Sequence, residues 1–443
     1  MDVEYVGLMD LFLVPLYFLL IYAGMILIKK RNPRNLLMKR YLVKGMFFKL
    51  ACALFYALLV YFYYGYGDTM SYFREAAEIK AAINEGRENL GILFRDLDYA
   101  RSKHGIIGGA ESGWLLEKIT LVISYLSFGR FLVVTMVFAT LAYSGMFKML
   151  ETFADLMPEW HKRIAFFVLF FPSLAVYGSG ILKDTLCVAA LGWLIHYSHA
   201  IVVKKTFKLK YLFIIFFCCT ILALIKIYIL AAFIIPFLFY IFLSMLRKIR
   251  NVFIRRLLQP LILGCMVLVY VTFSQQIETA LGHYATEKLF ETVKEQQAAY
   301  KSLEDESGSF FELGPMDQTL GGFVKKIPAG ITATLFRPYV WESKKLIMLF
   351  SAIESLFMLL FTIYVIIKTG IIRFFASIFA DPFIFLCIMY SLLFAALVGV
   401  STLNFGTLAR YRIPIIPFYL TGLLYILYNH QVAIPRRQHE RIR

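Results

Sequence analysis

The chain contains no GxxxxGK[ST] and no GxGxxG. Neither of the glycine loops that cradle nucleotide phosphates is therefore present. Its six cysteines (Cys52, Cys187, Cys218, Cys219, Cys265, Cys387) all lie in apolar stretches, with no CxxC and no metal-ligand spacing. They read as small buried hydrophobes, not as a disulfide framework or a metal site. No internal repeat is evident, which argues against a transporter built from inverted repeats. Charge is scarce: 17% of 443 residues are charged and 60% are hydrophobic. With a mean hydropathy of +0.70, this excludes an ordinary soluble domain and marks a polytopic membrane protein. The net charge of +17 does not imply nucleic acid as a partner. The bases cluster at the ends of apolar segments, where positive-inside topology accounts for them.

Apolar runs long enough to span a bilayer fall at roughly 7–28, 44–65, 131–150, 164–181, 185–203, 211–225, 227–246, 257–273, 346–367, 383–400 and 413–429. The first is too long and too poor in small residues for a cleaved signal peptide, so it reads as a retained span. Lys29, Lys30, Arg31, Arg34, Lys39, Arg40 and Lys44 follow it with no acid among them. Lys204, Lys205, Lys208 and Lys210, then Arg247 to Arg256, then Arg436 to Arg443 in the tail, fall on the same face if the N-terminus is outside. The expected topology is N-out and C-in. Residues 113–127 contain Glu117 and Lys118. Counting them as a span would turn the lysine cluster at 204–210 outward, so they read as an interfacial helix.

This divides the chain into four parts: an extra N-terminal span with its basic cytoplasmic loop (1–43); a transmembrane core (44–273) with a first extracytoplasmic loop (66–130); a large extracytoplasmic loop (274–345); and C-terminal spans with a basic cytoplasmic tail (346–443). The first loop shows helical patterning from Phe73 to Asn84, and the second from Glu287 to Glu304. Glu304 to Ser309 reads as a mobile tip.

Four polar clusters are expected at the outer face. The first opens where an early span ends: Gly67-Asp68-Thr69-Met70-Ser71-Tyr72, with Arg74 close behind. An acid beside hydrocarbon is costly and usually has a task or a partner. Asp68 can also serve simply as a helix N-cap. The second is Glu111-Ser112-Gly113-Trp114. The third runs from Phe171-Pro172-Ser173 through Gly178-Ser179-Gly180 to Lys183-Asp184, where Pro172 and two glycines let the backbone break at membrane depth. The fourth is Asn404 to Pro414, with Arg410 and Arg412 on the side that positive-inside bias disfavours. Lys226 sits between two abutting spans, and Arg337 and Glu342 flank an aromatic stretch. The blander readings are an ion pair at a helix start for Lys183-Asp184 and headgroup anchoring for the arginines. The set of acids (Asp68, Glu111, Asp184) and bases (Lys183, Lys226, Arg410, Arg412) suits a sugar carried on a polyprenyl phosphate. Cations hold the phosphate, and a carboxylate takes a proton from the incoming hydroxyl.

At these residues the chain resembles the EpsG/Wzy-like polysaccharide polymerases and, more distantly, the GT-C membrane glycosyltransferases. The points of likeness are Asp68 with Tyr72, Glu111 to Leu116, Phe171 to Asp184, and Arg410-Tyr411-Arg412-x-Pro414. The resemblance covers roughly residues 44–200 and the last span. It implies an all-α polytopic protein of about 11 transmembrane helices, GT-C-like, in the bacterial cytoplasmic membrane. Two extracytoplasmic loop regions would contain interfacial helices. It maps the catalytic acid onto Asp68. The residues' own chemistry adds Glu111 and Asp184 as expected catalytic acids and Tyr72, Arg74, Lys183, Lys226, Arg337, Asn404, Arg410 and Arg412 as expected substrate-binding groups. The partners implied are a polyprenyl-phosphate-linked sugar or oligosaccharide, a glycan acceptor and membrane lipid. No cofactor is named. A single acid stands where many GT-C members have an adjacent pair, which leaves a divalent metal open. The competing readings are a lipid-linked glycan flippase or other transporter and, third, an assembly partner. A transporter calls for charge at mid-span depth, and the span centres look nearly free of it.

Overall fold

The computed structural model describes residues 4–105, 110–246, 310–311, 313–314 and 320–433. Among these the chain is all helical, with one isolated bridge between Phe310 and Asn404 and no strand. Seven helices are long and apolar enough to cross a membrane, or eight if the bent pair Phe405–Tyr411 and Ile416–Val432 is one span. The expected span 257–273, the basic cluster Arg247 to Arg256, the helical stretch Glu287 to Glu304 with its tip, and the tail arginines lie outside the described residues. The chain divides into two compact units, Met1–Leu230 and Ala231–Arg443.

Unit 1 begins with α1 (Asp10–Arg31) and α2 (Val43–Leu59), which π-helical turns extend at both ends to Met38–Tyr64. A polar loop region follows, containing α3 (Asp68–Asn84), α4 (Leu97–His104) and α5 (Glu111–Leu126). Then come α6 (Phe131–Leu156), the short α7 (His161–Ala165) and α8 (Pro172–Tyr177), α9 (Lys183–Val202), and α10 (Leu209–Leu246), which runs on into unit 2. The loop region has a small core of its own, including Ile79, Ile92, Leu97 and Trp114. Glu88 ties it together by accepting from Tyr99, Lys103 and His104.

Side-chain contacts sort unit 1 into two ends. At one, Arg130 before α6 forks onto Asp10 at the start of α1 (2.7 and 3.1 Å), and Lys183 reaches Ser112 (2.9 Å). At the other, Asn35 reaches Glu151 late in α6 (3.1 Å), Arg40 meets His161 (3.1 Å) and Lys204 meets Asp155 (3.0 Å). The basic stretches 29–44 and 203–210 thus gather at one end and the loop helices at the other. The chain must pass between the ends from His161 to Lys183. It does so brokenly, because Pro172 lacks the N–H a continuous helix needs and keeps Phe171 extended. The expected break at Phe171–Gly180 is found there.

Residues 211–225 and 227–246 are two helices, as expected, meeting at a kink where Lys226 has non-helical angles (φ −149°, ψ 79°). One expectation changes: the span centres are not free of charge. Lys49 lies near the middle of Met38–Tyr64, fully buried, and donates to the carbonyls of Leu174 and Ala175 (both 3.2 Å) at the end of α8.

α6 and α9 form the centre of unit 1, crossing where Gly145 meets Ala189 and Gly192. A Cβ at either glycine would collide with backbone of the facing helix. Such small-residue seams are how membrane helices approach closely. Backbone cannot swing aside as a side-chain tip can. Gly192→Leu is expected to cost about 3 kcal/mol, the upper part of the overpacking range, seen as a lower unfolding midpoint in detergent. An unchanged midpoint would mean that the helices are not so close.

In unit 2, α11 (Leu320–Phe336), α12 (Leu346–Thr369), α13 (Ile371–Ala380) and α14 (Pro382–Ser401) precede the bent pair α15 (Phe405–Tyr411) and α16 (Ile416–Tyr428). A second glycine seam, Gly330 on Gly399, joins α11 to α14, and Thr334 donates to Ala395 O across it (2.9 Å). The stretch 320–336 belongs to the region 274–345 expected to be an extracytoplasmic loop; it is a helix packed on α14, and Lys325, Lys326 and Pro328 interrupt its apolar run in the sequence.

Candidate active site

The loop helices of unit 1 bring together acids and a base that the sequence places far apart. Gly67 (φ 133°) precedes α3 as its cap, and Asp68 is the first helical residue, exposed, where the helix dipole favours an acid. The capping role considered for Asp68 therefore falls to Gly67. Spacings of four and three residues put Asp68, Tyr72 and Glu75 on one face of α3. Burial increases along that face, from exposed Asp68 to buried Glu75.

Gly113 of α5 lies against this face. A Cβ there would sit 3.5 Å from the Tyr72 ring, 3.7 Å from Lys183 Nζ and 3.9 Å from Glu117 Oε1. These are ordinary contact distances, so Gly113 marks the point on which the three groups converge. Lys183, the first residue of α9, donates to Ser112 Oγ (2.9 Å) and stands 5.8 Å from the Tyr72 ring centre. Glu117, 1% exposed, is hydrogen-bonded to Glu75, 7% exposed. Each carboxyl keeps a buried Oε2 with no hydrogen-bond partner among the described residues. Burial, then the charge and hydrogen bond of Glu75, push the Glu117 carboxyl up to about 8, with Lys183 pulling the other way. A carboxyl pair sharing a proton beside a cation can take up or release a proton near neutrality.

Next to this, Asp184 (2% exposed) pairs with Lys226 (7% exposed) at 2.5 Å. The pair joins the start of α9 to the break in α10, so the non-helical angles at Lys226 accompany an ion pair. Among the described residues no group of three or more His, Cys, Asp or Glu is placed to hold a metal ion. Beside Glu117 the cation's place is taken by Lys183, so the donor set does not fit a divalent metal, and no step is derived through one.

The remaining expected site residues have other surroundings. Glu111 accepts from the Leu97 N–H at the start of α4 (3.3 Å). Arg74 lies exposed, 4.0 Å from Glu78, a pair worth little in water. In unit 2, Asn404 caps α15 by accepting from Gly406 and Thr407. Arg337 forks onto Glu342 and lies over the rings of Phe311 (4.8 Å) and Phe405 (5.1 Å). Arg410 is half-buried beside Tyr411. Arg412 is fully buried and donates to Arg337 O (3.2 Å), Ser355 Oγ (2.7 Å), and Ser351 O and Oγ (3.3 and 3.2 Å), with Glu354 3.6 Å away. That is a scaffold position, not a surface open to a phosphate.

No protein-family model, curated protein or solved structure matches the chain. The chemistry is read from the residues themselves. Sequence reading missed Glu75 and Glu117. The signal for Glu117 was present: an acid inside an apolar stretch, the same argument that singled out Asp68.

Proposed function

We propose that the protein is an integral membrane glycosyltransferase or polysaccharide repeat-unit polymerase. It would use a polyprenyl-phosphate-linked sugar at the outer face of the cytoplasmic membrane. The observation that carries this reading is the buried Glu75–Glu117 pair beside Lys183 and Ser112, held by the loop helices at the exit of an apolar span. In the proposed step the carboxyl pair takes the proton of an acceptor hydroxyl as its oxygen bonds to the anomeric carbon. The bond from that carbon to the phosphate oxygen breaks, and Lys183 meets the charge left on the phosphate. Asp68, exposed on the same face of α3, is placed to contact the acceptor. The gathering of basic stretches at the end of unit 1 opposite this site supports an orientation with the N-terminus and the site outside; the proposed topology is GT-C-like with about eleven spans.

A specific feature favours transport as the second reading. Lys49 is buried at mid-span and bound to carbonyls of a broken crossing, a combination transporters use at substrate sites. Lipid-linked glycans in cells lacking the protein separate the two. Transfer predicts untransferred donor accumulating in the outer leaflet, and transport predicts it in the inner leaflet. An unchanged lipid-linked pool would overturn both.

A further inference from the structure

Unit 1 contains a cleft of about 570 Å³ at the end opposite the carboxyl pair. Its walls are the last turns of α6 and α9, residues 35–37 before α2, and the start of α10. We infer that this cleft binds a phosphoryl anion, a phosphate or pyrophosphate group either free in solution or carried on a lipid.

The argument is one of charge left over. The two carboxylates in the walls are already matched. Glu151 accepts from Lys148 (2.7 Å) and Asn35 (3.1 Å), and Asp155 meets Lys204 (3.0 Å) and His199 (3.3 Å). The C-terminal ends of α6 and α9 add partial negative charge, met by His199 and Lys204. The three neighbouring loops carry bases far in excess: seven in 29–44, two in 157–163 and, besides Lys204, three in 203–210, against Glu159 as their one acid. A concave wall of low dielectric focuses such a field on an anion inside it. Spare hydrogen-bond donors belong to cations and not to the histidines. Lys204, in the wall, has three N–H groups of which Asp155 takes one (3.0 Å), and Arg40 has five, of which one is given to the cleft residue His161 (3.1 Å). The volume falls in the range of small-ligand sites, which favours a compact anionic group over a polymer.

The test uses the full chain in phosphatidylcholine nanodiscs, following its thermal unfolding midpoint. One arm titrates inorganic pyrophosphate, and the other replaces part of the phosphatidylcholine with phosphatidylglycerol. A ligand that binds only the folded state raises the midpoint. A rise of several degrees with pyrophosphate identifies a soluble anion, and a rise with phosphatidylglycerol alone identifies a lipid headgroup. Lys204→Gln combined with Arg40→Gln should weaken the response roughly tenfold, while Arg87→Gln in the exposed loop at the far end leaves it intact. Should the double variant fail to fold, Ala200→Leu fills the cleft without removing a charge and is expected to abolish the response. No rise with either probe, or a rise that survives Ala200→Leu, overturns the proposal.

Discussion

Glu117→Gln is expected to lower glycosyl transfer by roughly 10²-fold or more, the scale of losing a general base, with little change in expression. Gln has the shape of protonated Glu and keeps the hydrogen bond to Glu75. Because the Glu117 carboxyl is pushed up to about 8 by burial and by Glu75, wild-type transfer should rise with pH until that group has ionised. The variant should lose this limb. Stability moves the opposite way. The folded chain holds a proton on Glu117 that the unfolded chain releases near 4.5. The folded state therefore binds more protons across that window, and its stability falls as pH rises from about 4.5 to about 8. Glu117→Gln should flatten this slope. Asp68→Asn is the control at the exposed end of the same face. If Asp68 is the base, as the resemblance implied, its variant takes the large loss and keeps the pH limb. Full activity of Glu117→Gln, with the limb unchanged, would remove Glu117 from the chemistry.

Much of the fold was legible because membrane spans are written in long apolar runs, and basic stretches label their ends. The helices over 10–31, 131–156, 346–369 and 382–401 follow directly from such runs. The break at Pro172 was legible from covalent chemistry alone. α11 was not, because two lysines and a proline interrupt the run, and its packing depends on a tertiary contact, Gly330 on Gly399, that no local pattern reveals. Lys49 was passed over for a similar reason: its partners are backbone carbonyls some 125 residues away. At the site, Lys183, Tyr72 and the Asp184–Lys226 pair could be guessed from unusual positions. The partnership of Glu75 and Glu117 could not, since it exists only once α3 and α5 pack face to face. Position relative to the membrane says where a charge is costly. It does not say which other charge will meet it.

Arg412→Ala is expected to destabilise unit 2 by about 3–5 kcal/mol, the cost of breaking a buried ion pair by removing one partner. The guanidinium is fully buried and joins three segments: α12 through Ser351, Glu354 and Ser355, the end of α11 through the Arg337 carbonyl, and its own turn between α15 and α16. Removing it leaves a carboxylate and a carbonyl without the donor that offsets their burial. Arg412→Lys keeps the charge but loses the planar fork that reaches Ser351 and Ser355 together, so it should fall between wild type and Ala. Arg410→Lys, on a half-buried residue of the preceding turn, should leave stability near wild type. Unfolding midpoints of the purified variants in one detergent give the comparison. The phosphate-binding role expected for Arg412 makes the opposite forecast: a folded Ala variant with normal stability and weakened donor binding. The contacts favour the first outcome, because the Arg412 Nη donors are already spent on Ser351, Ser355 and the Arg337 carbonyl, three points on the protein's own segments.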